Sequence, residues 1–159
     1  MSELKEGNKA PAFSMERDGG GQLSLDDFKG KKLVLYFYPK DDTSGCTTQA
    51  CGFRDNLDAF NKLGVDIVGV SKDSVKKHDK FKEKHDLNFP LGSDEECKIC
   101  DQYGVWKEKS MYGRKYMGIE RSTFLIDENG IILKIWRKVK VGKHMDELIE
   151  ALKDLKEAA

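Results

Sequence analysis

Residues 32–39, KLVLYFYP, constrain this chain more than any other stretch. Positions 33 to 38 are apolar or aromatic without a break, so both faces of the segment need burial, and a proline ends it. Such a run reads as a central strand, of the kind found in parallel sheets. A second run, VDIVGVS at 65–71, follows a stretch where Phe53, Leu57, Phe60 and Leu63 recur at spacings of four, three and three. That spacing predicts one apolar face of a helix. Strand, helix and strand in succession make a βαβ unit.

Downstream, DSVKKHDKFKEKHDL at 73–87 predicts a charged helix with Val75, His78 and Phe81 on one side. A short helical stretch is expected near 95–103. STFLIDENGIILKIWR at 122–137 reads as a hairpin whose turn uses Gly130 at positive φ. The tail, HMDELIEALKDLKEAA, sets Met145, Leu148, Ile149, Leu152 and Leu155 in helical register. Earlier, DGGGQ at 18–22 signals a turn, and LSLDDFKG holds one helical turn closed by Gly30. The order βαβα, short helix, ββα predicts an α/β domain over 1–159, a mixed central sheet flanked by helices.

Charge and composition narrow the function. Basic and acidic residues number 28 each, which argues against a general nucleic-acid binder. The longest apolar run falls far short of the roughly 20 residues that a bilayer needs. MSELKEGNKAPAF has no apolar core of a secretory signal, so a cytoplasmic protein is the simplest reading. Four cysteines are few for a disulfide scaffold, and in a reducing compartment they point to catalytic, redox or metal roles.

Cys46 follows the first strand and a short loop, in the first turn of the next helix. Free N–H groups and the positive end of the helix dipole favour a thiolate there. The dipole contributes about 0.3–2 kcal/mol, while an ordinary cysteine is only about 3% ionised at neutral pH. A cation or a charge-assisted hydrogen bond, at about 1.5–3 kcal/mol, has to supply the rest.

Pro39, Thr43 and Cys46 form P-x3-T-x2-C, and Cys51 completes C-x4-C. With YGVWKEKSMYGRKYMGIERSTFLIDENG downstream, this pattern resembles the peroxiredoxins, specifically the bacterioferritin comigratory protein (peroxiredoxin Q) branch. The similarity spans nearly the whole chain. It implies a thioredoxin-like fold and a thiol-dependent peroxidase acting on hydrogen peroxide and organic hydroperoxides, without metal or cofactor. It also implies a peroxidatic Cys46 that becomes a sulfenic acid, a resolving Cys51 and a catalytic Arg121. Thr43 would donate its hydroxyl to the peroxide, and Pro39 would shape and shield the loop. Thioredoxin, or alternatively glutaredoxin, would be the reductant of a monomeric enzyme. Ser44 stands where the family often has proline; as a good N-cap residue it is expected to start the helix.

If both cysteines lie on one helix, their Cα atoms are about 8.6 Å apart and about 140° around the axis. A disulfide does not form beyond about 7 Å without backbone movement. Closing a Cys46–Cys51 bond therefore requires the first helical turns to unwind, and Gly52 lowers that cost by about 1 kcal/mol relative to alanine.

Cys97 and Cys100 form C-x2-C, with no buried strand recognisable before them. They read as structural thiols, an auxiliary redox pair or half of a metal site. His78, His85 and His144 are expected in surface or packing roles. Two competing functions remain: a general thiol–disulfide oxidoreductase, and a zinc-binding module using all four cysteines.

Overall fold

The computed structural model describes residues 4–158. Strands β1 (Ser14–Arg17) and β2 (Gln22–Ser24) pair antiparallel around the glycine-rich turn. A 3-10 turn, Leu25–Phe28, follows where a single helical turn is expected. The next strand, β3 (Lys32–Phe37), organises the molecule. Leu33, Leu35 and Phe37 enter one apolar cluster, while Val34 and Tyr36 enter a second on the opposite face. The unbroken apolar run thus serves two cores at the two-residue period of a strand.

Helix α1 (Ser44–Lys62) and strand β4 (Val65–Ser71) complete the βαβ unit, with β4 parallel to β3. Helix α2 (Val75–His85) turns His78 and Phe81 inward and is capped by the Ser74 hydroxyl, which accepts from the Lys77 N–H. Then come β5 (Leu91–Ser93), the short helix α3 (Lys98–Gln102) and the hairpin β6 (Trp106–Met111) and β7 (Arg114–Ile119). Strands β8 (Ser122–Ile126) and β9 (Ile132–Trp136) form the expected second hairpin, with Gly130 at φ +82°. The Asp127 side chain fixes that turn by accepting from the N–H groups of Asn129 and Ile131. Helix α4 (Val141–Ala158) begins three residues earlier than the tail pattern marks.

Seven strands form one mixed sheet in the order β2-β1-β5-β4-β3-β8-β9, and β6 and β7 pair separately. β3 lies inside the sheet, parallel to β4 and antiparallel to β8. Phe53 and Phe60 of α1, Phe81 of α2, and Leu148 and Leu152 of α4 pack on one face. Phe13, Met15, Ile99, Cys100 and Tyr103 pack on the other. The mixed, helix-flanked α/β architecture agrees with the sequence pattern. Strands β1, β2, β5, β6 and β7 are additions to it. No helix among the described residues is long and apolar enough to cross a membrane.

Candidate active site

Cys46 is the third residue of α1, and the helix is capped by Thr43 in an extended conformation. Ser44 is therefore the first helical residue and not the cap, because Thr43 supplies the carbonyl that accepts from the Thr47 N–H. The Thr43 hydroxyl turns back and donates to the Lys40 carbonyl at 3.0 Å, closing the loop on itself. Pro39 is half-buried at the start of that loop, directly after the fully buried Tyr38.

Cys46 is 1% exposed, in the first turn of the helix. Arg121 lies in the two-residue link between β7 and β8, 75 positions further along the chain. Its Nη2 donates to Cys46 Sγ at 3.3 Å, and its Nη1 donates to Gln49 Oε1 at 2.6 Å. The guanidinium thus bridges two residues one helical turn apart on α1. Gly45 leaves room for it: a Cβ there would stand 3.2 Å from Arg121 Nη2. The cation required by the electrostatics of a lone helix terminus is in contact with the sulfur.

Gln49 was not legible as a site residue. It is 3% exposed, and its Nε2 has no hydrogen-bond partner among the described residues. The available signal was its spacing, three residues after Cys46, which sets both side chains on one face of the helix.

Cys51 is half-buried on the same unbroken helix, and all four cysteines are free. Ideal helical geometry then separates the Cα atoms of Cys46 and Cys51 by about 8.6 Å. The reduced pair is not a bridge. Gly52 also has a packing function, since a Cβ there would stand 3.1 Å from Met145 Cε of α4.

Cys97 and Cys100 belong to the apolar cluster on the opposite face of the sheet from Cys46. The four cysteines therefore do not form one site, and among the described residues no three His, Cys, Asp or Glu side chains are grouped to hold a metal. The zinc-module reading fails on this topology. A short buried strand, β5, does precede the C-x2-C segment, contrary to the sequence pattern. Burial first, then the charge of Asp94, pushes both thiols upward, the reverse of what a reactive dithiol needs.

His78 and His144 are buried, at 0% and 2% exposure. His144 Nε2 lies 2.7 Å from Thr123 Oγ1, and burial with the nearby Arg121 charge lowers its pKa to about 4.

Residues 7–135 match the AhpC/TSA family. A Coxiella burnetii protein named putative peroxiredoxin bcp is 55% identical over 94% of this chain and 99% of its own. Peroxiredoxin Bcp of Bacillus subtilis is 54% identical over 97% and 98%. Among solved structures, a peroxiredoxin Q of Xanthomonas campestris superposes with TM-score 0.85 at 48% identity, over 89% of this chain and 90% of that one. A Xylella fastidiosa PrxQ reaches TM-score 0.92 at 39% identity, over 98% and 99%. The X. campestris bacterioferritin comigratory protein, 47% identical, is described for its alkyl peroxide reduction activity. A thioredoxin-like peroxiredoxin fold, a buried cysteine at a helix start and full-length relatives of one kind converge on one assignment: this chain belongs to the AhpC/TSA family, as a peroxiredoxin.

Proposed function

We propose that this peroxiredoxin reduces hydroperoxides through Cys46, with Cys51 resolving and Arg121, Thr43 and Pro39 completing the site. The observation that carries the reading is the 3.3 Å bond from Arg121 Nη2 to a buried sulfur in the first turn of α1.

In the first step the Cys46 thiolate attacks one peroxide oxygen. An S–O bond forms, the O–O bond breaks, and the departing alkoxide or hydroxide takes a proton to leave as alcohol or water. Cys46 is then a sulfenic acid. Ionisation alone does not make this fast, because a less basic sulfur is a weaker nucleophile. Rate comes from preorganised donors aimed at the charge developing on the departing oxygen. The planar guanidinium can contact sulfur and peroxide together, and N–H groups of the first helical turn face the same region. Thr43 joins once its hydroxyl leaves the Lys40 carbonyl for the peroxide.

In the second step the Cys51 thiol attacks the sulfenic sulfur, an S–S bond forms and water leaves. The helical separation requires α1 to open at its start. A dithiol then returns two electrons and two protons by exchange. Thioredoxin is the proposed donor, the enzyme is proposed to act as a monomeric single domain in the cytoplasm, and residues 1–3 and 159 of that domain lie outside the described ones.

The test is peroxide consumption coupled to thioredoxin, thioredoxin reductase and a nicotinamide donor. Cys46→Ser is expected to abolish turnover, and Cys51→Ser to stop it after one oxidation. Continued turnover in Cys46→Ser would refute the reading.

A further inference from the structure

The loop between β3 and α1 contains two consecutive aspartates, and α2 holds both. Asp42, at φ +63°, is exposed and meets Lys84 Nζ at 2.8 Å and His85 Nε2 at 3.2 Å. Such a left-handed conformation in a non-glycine residue persists only where its surroundings enforce it. Asp41 turns the other way, into the protein. Its Oδ1 accepts from the Tyr38 hydroxyl at 2.5 Å, and its Oδ2 lies 2.6 Å from His78 Nδ1. Its own N–H donates to Asp73 Oδ2 at 2.7 Å, an oxygen that also accepts from Ser71 Oγ.

The proton inventory at His78 follows from its partners. Nε2 faces the Gly92 carbonyl of β5 at 2.9 Å, and a carbonyl only accepts, so Nε2 carries a proton. Nδ1 faces Oδ2 of Asp41, whose other oxygen already accepts from Tyr38; an ionised Asp41 makes Nδ1 a donor as well. With Asp41 ionised, both nitrogens carry protons and the fully buried ring is an imidazolium. The charged and titratable groups facing it are Asp41 from the loop, Asp73 from the β4–α2 connection and Tyr38 from the end of β3. Lys77 lies beyond, against Asp73 Oδ1 at 3.9 Å. Burial opposes the charge on His78, but the bond to Asp41, the Asp41 charge and the Gly92 carbonyl more than offset it, leaving the pKa raised.

The geometry points to His78 as a positioning residue of the peroxidase reaction, a buried cation that pins Asp41 and so fixes the loop carrying Pro39 and Thr43 ahead of Cys46. It touches neither peroxide nor sulfur. It acts through the loop: Asp41 stands two residues before the cap of α1, and displacement there moves the helix start beneath Arg121. The inference rests on the reading of Cys46 as the nucleophile.

The experiment pairs ring nitrogen-15 NMR of His78 with the pH dependence of the single-turnover rate with hydrogen peroxide. The ring is expected to show two protonated nitrogens at pH 7 in wild type and in Cys46→Ser. The wild-type rate should rise as sulfur ionises, then fall at higher pH as His78 loses its proton. Asp41→Asn removes the charge that holds the proton and leaves two donors competing for one oxygen, so the fall should move to lower pH. His78→Gln should lose the fall and be slower throughout, by about 10-fold or more, in keeping with the cost of small misplacements near a reacting centre. The double variant should be no slower than the worse single one, because the pair acts as a unit. Should His78→Gln not fold, Asp41→Asn carries the same test. A purely structural network would lower stability without moving the pH profile. A His78 ring with one proton at pH 7, or variants with the wild-type profile, would overturn the proposal and leave Cys46 in place. Peroxide consumption by Cys46→Ser would overturn the underlying reading instead.

Discussion

Gly45→Ala separates reactivity from stability at the active site. The residue precedes Cys46, lies within α1 and has no positive φ, so alanine fits the backbone. Its new Cβ would stand 3.2 Å from Arg121 Nη2 and 3.9 Å from Cζ. The first distance is tighter than normal packing, so the guanidinium has to shift by a few tenths of an ångström. Gln49 holds the opposite nitrogen at 2.6 Å, so the shift falls on the longer bond to sulfur, at 3.3 Å. A complete charge-assisted bond contributes about 1.5–3 kcal/mol. Losing a third to a half of it costs about 0.5–1.5 kcal/mol, or about 2- to 10-fold in rate. Alanine meanwhile favours the helix by up to about 1 kcal/mol over glycine. Stopped-flow oxidation by hydrogen peroxide and urea unfolding, run side by side, are expected to show a slower but equally or more stable protein. An unchanged rate would refute the geometric argument, and a joint fall in rate and stability would assign the effect to misfolding.

Three further outcomes follow from named contacts. Gly52→Ala should leave the first oxidation unchanged but slow disulfide closure about fivefold, since opening the helix then costs about 1 kcal/mol more; quenched-flow thiol counting checks this, with the flexible Met145 tip yielding to the new methyl. Far-UV circular dichroism should lose helix when peroxide is added to wild type and keep it in Cys51→Ser; equal helix in both would defeat the unwinding step. His144, lowered to about 4, should make the fold acid-sensitive. The unfolded chain binds its proton near pH 6.5 and the native one only near 4, so stability falls with pH across that window, by about 2 kcal/mol at pH 5. Urea unfolding at pH 7 and 5 checks it, with His144→Gln flattening the slope. His78 opposes this trend in part, because its raised pKa makes its stabilising contribution fully present only below its unfolded value and lost as pH rises, so the His144→Gln comparison isolates the His144 slope.

The parts of the fold that sequence exposed are those whose burial pattern is long and regular. β3, α1, β4, α2, the β8–β9 hairpin and α4 each repeat apolar residues over enough positions to fix a period. β1, β2 and β5 have only four, three and three residues, too short for alternation to register. In β7 the first four residues are exposed, so its pairing with β6 leaves little apolar signature. At the site, helix position and motif singled out Cys46, Thr43 and Arg121. Gln49 and Asp41 escaped because a short polar residue in sequence gives no sign that a distant cation will bury it. His78 shares its face with Val75 and Phe81, so helical spacing marks it as packing; only its two acceptors reveal the charge.

The contact between guanidinium and sulfur is tested most directly by the second-order rate of Cys46 oxidation in Arg121→Gln. Removal of a bond worth about 1.5–3 kcal/mol is expected to slow oxidation about 10- to 150-fold. A rate within about twofold of wild type, in a protein that remains folded, would contradict the activation of Cys46 by Arg121.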